Sequence, residues 1–157
     1  MKTKNDSPGV LIPPPLIYVL TFFASVLLQR IFPLSISFFD STAAYILGWI
    51  FIAANIIFIM PALVRFYKSK NTLVLIKPAN SLQTTGVYTL SRNPMYMGLL
   101  LLYSGLAFLN GNWWTVLCIP ILVLIITNYI IKSEENYLLR AFGAAFIDYK
   151  KKVRRWI

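Results

Sequence analysis

Ala43-Ala44-Tyr45-Ile46-Leu47-Gly48-Trp49-Ile50-Phe51-Ile52-Ala53-Ala54-Asn55-Ile56-Ile57-Phe58-Ile59-Met60-Pro61-Ala62-Leu63-Val64 contains no charged residue. At about 1.5 Å per residue, a helix of this length spans roughly 30 Å, the thickness of a bilayer's hydrocarbon core. Working outward, three further apolar segments stand on either side: Pro13 to Phe32, Met95 to Leu109 and Trp113 to Ile131. The first is long enough when Pro13-Pro14-Pro15 opens it, because a missing N–H costs little in a helix's first turn. The third is short unless it extends back through Asn93-Pro94. Hydrophobic residues make up 58% of the 157-residue chain, above the half that is usual for soluble domains. Lipid is the solvent that such a composition calls for.

Charge sets the expected orientation. The chain carries fifteen basic and five acidic residues, a net charge of +10. The basic residues fall between or beyond the apolar runs, which points to an anionic membrane surface and not to nucleic acid. Lys2 and Lys4 precede the first run. Arg65, Lys68, Lys70, Lys77 and Arg92 lie between the second and third. Lys132, Arg140, Lys150, Lys151, Lys152, Arg154 and Arg155 follow the fourth. The first short connection has Arg30 against Asp40, and Asn110-Gly111-Asn112 is uncharged. Positive residues stay on the cytoplasmic side, so both termini are expected there. Trp113 and Trp114 suit the far interface. No small-residue cleavage site follows the first run, so it reads as a span and not as a signal peptide.

The expected fold is therefore an all-α integral membrane protein, one domain over residues 1–157. Its four transmembrane helices lie at about 13–32, 43–64, 93–111 and 113–131. Leu138, Leu139, Phe142, Phe146, Tyr149 and Val153 recur at helical spacing beyond them. They predict a C-terminal amphipathic cytoplasmic helix whose basic end lies on anionic lipid headgroups. The long Arg65–Arg92 connection includes Thr72-Leu73-Val74-Leu75-Ile76, too apolar for a disordered loop.

Histidine is absent and Cys118 is the single cysteine. That excludes a His general base, Ser-His or Cys-His nucleophiles, an intrachain disulfide and a cysteine-cluster metal site; no metal is expected. Two features remain. Glu134-Glu135 is the only adjacent acidic pair, and it falls where the fourth run ends. Structurally, the pair could simply be solvated, matched to Lys132 or Arg140. The second feature is Thr85-Gly86-Val87-Tyr88-Thr89-Leu90-Ser91-Arg92-Asn93-Pro94-Met95-Tyr96-Met97-Gly98. Gly86 suits a positive-φ turn, and Asn93-Pro94 marks a turn into a helix. A helix start presents N–H groups that can seat a carboxylate or phosphate. The bland alternative is a capped membrane helix with an interfacial tyrosine.

Taken in order, Thr85-Gly86-Val87-Tyr88, Arg92-Asn93-Pro94-Met95-Tyr96 with Gly98, Glu134-Glu135, Phe142-Gly143 and Tyr149 to Trp156 resemble one family. It is the membrane methyltransferase family of isoprenylcysteine carboxyl methyltransferases and phospholipid N-methyltransferases. The resemblance runs from about Lys77 onward. It implies an S-adenosylmethionine-dependent methyltransferase for a lipidic or amphiphilic acceptor at the cytoplasmic membrane face. The cofactor region would be 77–98 and 132–157. Family contacts carry over to Leu82, Gln83, Tyr88, Asn93, Pro94, Met95, Tyr96 and Glu134 for the cofactor, and to Arg92 for the substrate. Asn93 stands where prenylcysteine enzymes typically have His, closer to the phospholipid-type pattern, and Ile130 stands where they have a substrate-binding Arg. Two other classes share parts of this pattern: an NADPH-dependent membrane reductase of sterol-reductase type and a non-enzymatic small membrane protein.

Overall fold

Proline opens three of the helices, at the position where its lost N–H is harmless. The computed structural model describes residues 7–68 and 81–157. Lys2, Lys4, Lys70, Lys77 and the apolar stretch 72–76 lie outside the described residues. Helix α1 is Pro14–Ile31, with Pro at its start. Helix α2 is Thr42–Lys68, with Arg65 and Lys68 in its last turn, where cations complement the helix dipole. A short 3₁₀ turn, Gly86–Thr89, precedes α3, Pro94–Leu109. Then α4 (Trp113–Leu117), α5 (Ile119–Ile125), a π-helical stretch (Ile126–Ile131) and α6 (Lys132–Phe142) follow almost without interruption. Helix α7 is Ala144–Lys152.

No strand occurs among the described residues. Three helical stretches are long and apolar enough to cross a membrane: Pro14–Ile31, Thr42–Arg65 and the 30-residue Trp113–Phe142. Their outward faces carry bare hydrophobic side chains such as Phe23 (65% exposed), Ile57 (68%) and Leu124 (60%). The chain is an integral membrane protein. Helix α3 has 16 residues, about 24 Å of rise, short of the roughly 30 Å core.

The bundle closes around two apolar clusters. Val10, Tyr18, Tyr96, Tyr103, Leu122, Ile126, Ile130 and Ile131 join α1 and α3 to α5 and the π-helical stretch. Ala62, Tyr88, Phe146, Tyr149 and Val153 join the C-terminal part of α2 to the 3₁₀ turn and α7. Helices α2 and α3 make the most extensive contact. A Cβ on Gly105 would come within 2.6 Å of Ile52 Cγ1 and 2.9 Å of the Gly48 carbonyl oxygen, so small residues are what let these backbones approach. Asn55 adds a hydrogen bond across this seam, its Nδ2 donating to the Gly98 carbonyl at 2.6 Å.

At the opposite end, Asn110-Gly111-Asn112 is the expected tight turn, with Gly111 at φ +64°. Asn112 caps α4 by accepting from the N–H groups of Trp114 at 2.9 Å and Thr115 at 3.4 Å. Its amide also donates to the Ser25 carbonyl at 3.1 Å, which ties the turn to α1.

Two boundaries differ from expectation. The fourth apolar run does not end as a helix at Ile131. It continues to Phe142, because the polar residues after Ile131 are good helix formers and nothing there breaks the helix. The tail beyond it is not one helix. Gly143, at φ +51° and ψ −122°, breaks it into α6 and α7. The apolar side of α7, Phe146 and Tyr149, is buried against protein.

Candidate functional site

The 3₁₀ turn begins at Gly86, whose φ of +66° is in glycine's region. That turn buries Tyr88 against α7, and the Tyr149 hydroxyl donates to the Tyr88 carbonyl at 2.6 Å. Burial pushes the Tyr149 phenol up to about 12, with Arg92 acting in the opposite sense. Four residues on, Asn93 is the N-cap position of α3 and Pro94 its first residue. This places Tyr96 in the first turn, facing α6. Its hydroxyl donates to Glu134 Oε1 at 2.7 Å. Behind it, the Tyr18 hydroxyl of α1 donates to the Tyr96 carbonyl at 3.1 Å.

Glu135 faces elsewhere. It pairs with Arg92 Nη2 at 2.9 Å and with Arg155, through Nε at 3.0 Å and Nη2 at 2.7 Å. The Arg92 and Glu135 side chains are only 7% and 11% exposed. Burial pulls the Arg92 guanidinium below its usual range, and Glu135 beside it works against that shift. The hydrogen bonds that Arg155 donates to the Glu135 carboxylate hold its guanidinium above its usual range. Arg92 Nε and Nη1 are buried without a partner among the described residues, an arrangement that is costly unless something fills it.

The segment after α7 runs back over this cluster. The Arg92 N–H donates to the Arg154 carbonyl at 3.0 Å. Asn93 Nδ2 and Ser91 Oγ both donate to the Arg155 carbonyl, at 2.9 and 3.3 Å. Trp156 Nε1 donates to Thr127 Oγ1 at 3.3 Å, within the π-helical stretch.

Most residues singled out in the sequence meet here. Tyr96 and Glu134 touch directly, and Asn93, Pro94 and Met95 form the adjoining helix start. Tyr88, Met95 and Leu82 share the second apolar cluster. The Gln83 amide donates to Ser81 Oγ at 2.8 Å. Arg92 is drawn to Glu135. Sequence reasoning passed over Tyr18 and the role of Arg155. A polar group near the start of an apolar helix was the available signal for Tyr18, and none marked Arg155 among seven basic residues of the tail. The donor set fits the amino-acid end of S-adenosylmethionine. An N-terminal helix turn without a side-chain cap and a buried arginine with unused N–H groups suit its carboxylate, and the Glu134 carboxylate suits its cationic or hydroxyl groups.

The class of protein, a membrane methyltransferase, is given by the family to which most of the chain matches. Residues 43–145 match the phospholipid methyltransferase family, and the chain belongs to that family. The match leaves α1 outside. An uncharacterized protein of Haemophilus influenzae is 40% identical over 63 residues, which are 40% of this chain and 100% of that one. The protein-S-isoprenylcysteine O-methyltransferase of Schizosaccharomyces pombe is 33% identical over 72 residues, 46% of this chain and 30% of the enzyme. Its Saccharomyces cerevisiae counterpart is 34% identical over 89 residues, 55% and 33% respectively. The chain thus spans about a third of either enzyme's length. No solved structure matches.

Proposed function

We propose that this protein is an S-adenosylmethionine-dependent methyltransferase acting on a lipidic or amphiphilic acceptor at the cytoplasmic face of the membrane. One observation carries the proposal. The Tyr96–Glu134 hydrogen bond of 2.7 Å joins the two sequence motifs that lie 38 residues apart, at a helix start whose Asn93 makes no cap bond. Bound there, the cofactor supplies an electrophilic methyl group on a sulfonium.

In this assignment the N-terminal turn of α3, with Asn93, Pro94 and Met95, receives the cofactor's carboxylate. Glu134 accepts hydrogen bonds from its amino or hydroxyl groups, and Tyr96 holds the carboxylate of Glu134 in place. Leu82, Gln83 and Tyr88 line the approach from the 3₁₀ turn. Arg92, which the resemblance gave to the substrate, is assigned here to the cofactor's carboxylate, because its Nε and Nη1 are buried without a partner among the described residues. Displacement at a sulfonium needs alignment and exclusion of water more than it needs a general base, so a chain without histidine is suited to it.

The same proposal takes residues 1–157 as one domain with four crossings, the short α3 lying where neighbouring helices replace lipid. It takes both termini as cytoplasmic, with the cofactor region at 77–98 and 132–157. Exposed Lys150, Lys151, Lys152 and the basic residues after them are assigned to anionic lipid headgroups.

Radiolabelled S-adenosylmethionine and NADPH offered to detergent-purified protein test the class. S-adenosylmethionine is expected to be retained. Retention of NADPH alone would mean a reductase, and retention of neither would mean a non-enzymatic protein. A one-methyl mass increase in the lipids of overexpressing cells would then identify the acceptor.

A further inference from the structure

Asn93 does not behave as an asparagine at an N-cap position usually does. Asn is among the best N-capping residues, its side-chain oxygen accepting from the first free N–H groups of its helix. In this chain Asn112 does this for α4, with bonds of 2.9 and 3.4 Å. Asn93 occupies the same position for α3 and makes no side-chain cap. Its amide is turned to the Arg155 carbonyl at 2.9 Å. Ser91 Oγ donates to the same carbonyl at 3.3 Å and accepts from the Asn93 N–H at 3.1 Å. That carbonyl is itself held on both sides. The Arg155 guanidinium is bidentate on Glu135 at 3.0 and 2.7 Å. The Trp156 indole bonds Thr127 at 3.3 Å and packs on the apolar cluster between α1 and the π-helical stretch.

We propose that the Arg155–Trp156 strap is a positioning element of the cofactor site: it draws the Asn93 side chain away from its own helix and so keeps the first N–H groups of α3 open for an anionic group of the ligand. An independent feature beside it points to an anion as well. Arg92, whose side chain is 7% exposed, has Nε and Nη1 buried without a partner among the described residues. Resting on the cofactor assignment above, the anion is the carboxylate of S-adenosylmethionine. Arg155 and Trp156 touch no ligand in this scheme; they act through Asn93.

The test is a double-mutant cycle on the full-length protein, with S-adenosylmethionine titrated calorimetrically into the parent, Trp156→Ala, Asn93→Ala and the double variant. When the strap loosens, Asn93 swings back to cap α3 and competes with the ligand. Trp156→Ala is therefore expected to weaken binding about fivefold in the parent, the worth of one cap. In the Asn93→Ala background it is expected to weaken binding by less than about twofold. In the ligand-free protein, amide exchange at Met95 and Tyr96 is expected to slow in Trp156→Ala only when Asn93 is present. Equal effects of Trp156→Ala in both backgrounds, or none in the parent, would overturn the proposal. Should Trp156→Ala fail to fold, Asn93→Asp decides. A carboxylate caps α3 but cannot donate to the Arg155 carbonyl, so it is expected to bind more weakly than Asn93→Ala without a lower Tm. Binding at least as tight as in Asn93→Ala refutes the scheme. A parent with no affinity for S-adenosylmethionine refutes instead the cofactor assignment on which it rests.

Discussion

Replacing Glu134 by Gln is the sharpest probe of the site. Gln keeps a side-chain oxygen where Glu134 Oε1 accepts the Tyr96 hydroxyl at 2.7 Å, so the contact between α3 and α6 survives in neutral form. What disappears is the negative charge. A hydrogen bond to a charged group contributes about 1.5–3 kcal/mol net, so cofactor affinity is expected to fall about ten- to a hundredfold. Tm is expected to move little. Glu135→Gln supplies the contrast. Glu135 braces Arg92 and Arg155, and the Arg92–Glu135 pair is nearly enclosed, at 7% and 11% exposure. Removing one partner strands a buried cation, at a cost near the lower end of the range for such pairs, about 3 kcal/mol, since Arg155 is partly solvated. That loss falls on stability, and on ligand affinity only through a displaced strap. Calorimetric titration of S-adenosylmethionine and a thermal melt of each purified variant separate the two. If Glu134→Gln binds as tightly as the parent, the acidic pair is a structural helix segment and the site assignment is wrong.

Other expected outcomes follow from the same contacts. Tyr96→Phe removes only the hydroxyl that holds Glu134, and calorimetry is expected to find about tenfold weaker cofactor binding in a protein that still inserts; unchanged affinity would favour a plain helix start. Gly105→Ala puts a Cβ 2.9 Å from the Gly48 carbonyl and is expected to destabilise the α2–α3 seam by about 1–3 kcal/mol, read as a lowered Tm in detergent. For topology, a reporter fused after Ile157 is expected on the cytoplasmic side and one inserted at Gly111 on the other; finding both on one side would exclude four crossings.

How much was legible without coordinates differs from element to element. The run Ala43–Val64 was unmistakable, because an uncharged helix of bilayer length has few other uses. The Asn110-Gly111-Asn112 turn was equally plain from its composition. Helix ends were harder to read. Nothing polar stops a helix at Ile131, since Lys, Ser and Glu continue it, and the break came from one glycine twelve residues later. An amphipathic pattern such as that of the tail says which side is apolar but not whether lipid or protein will cover it, and for Phe146 and Tyr149 the cover is the rest of the chain.

The sequence by itself determined the solvent, the helical class and the two stretches that meet in the candidate site, because hydropathy, proline placement and the scarcity of acids are local properties of the chain. Only the tertiary structure decided how the members of those stretches divide their work. Glu134 and Glu135 are neighbours in sequence, yet a rotation of about 100° per residue around the helix sends one to Tyr96 and the other to two arginines. Which arginines these are, and that Asn93 is claimed by a carbonyl 62 residues away, depends on where α7 ends over α3. That is a long-range packing outcome, and no local pattern encodes it.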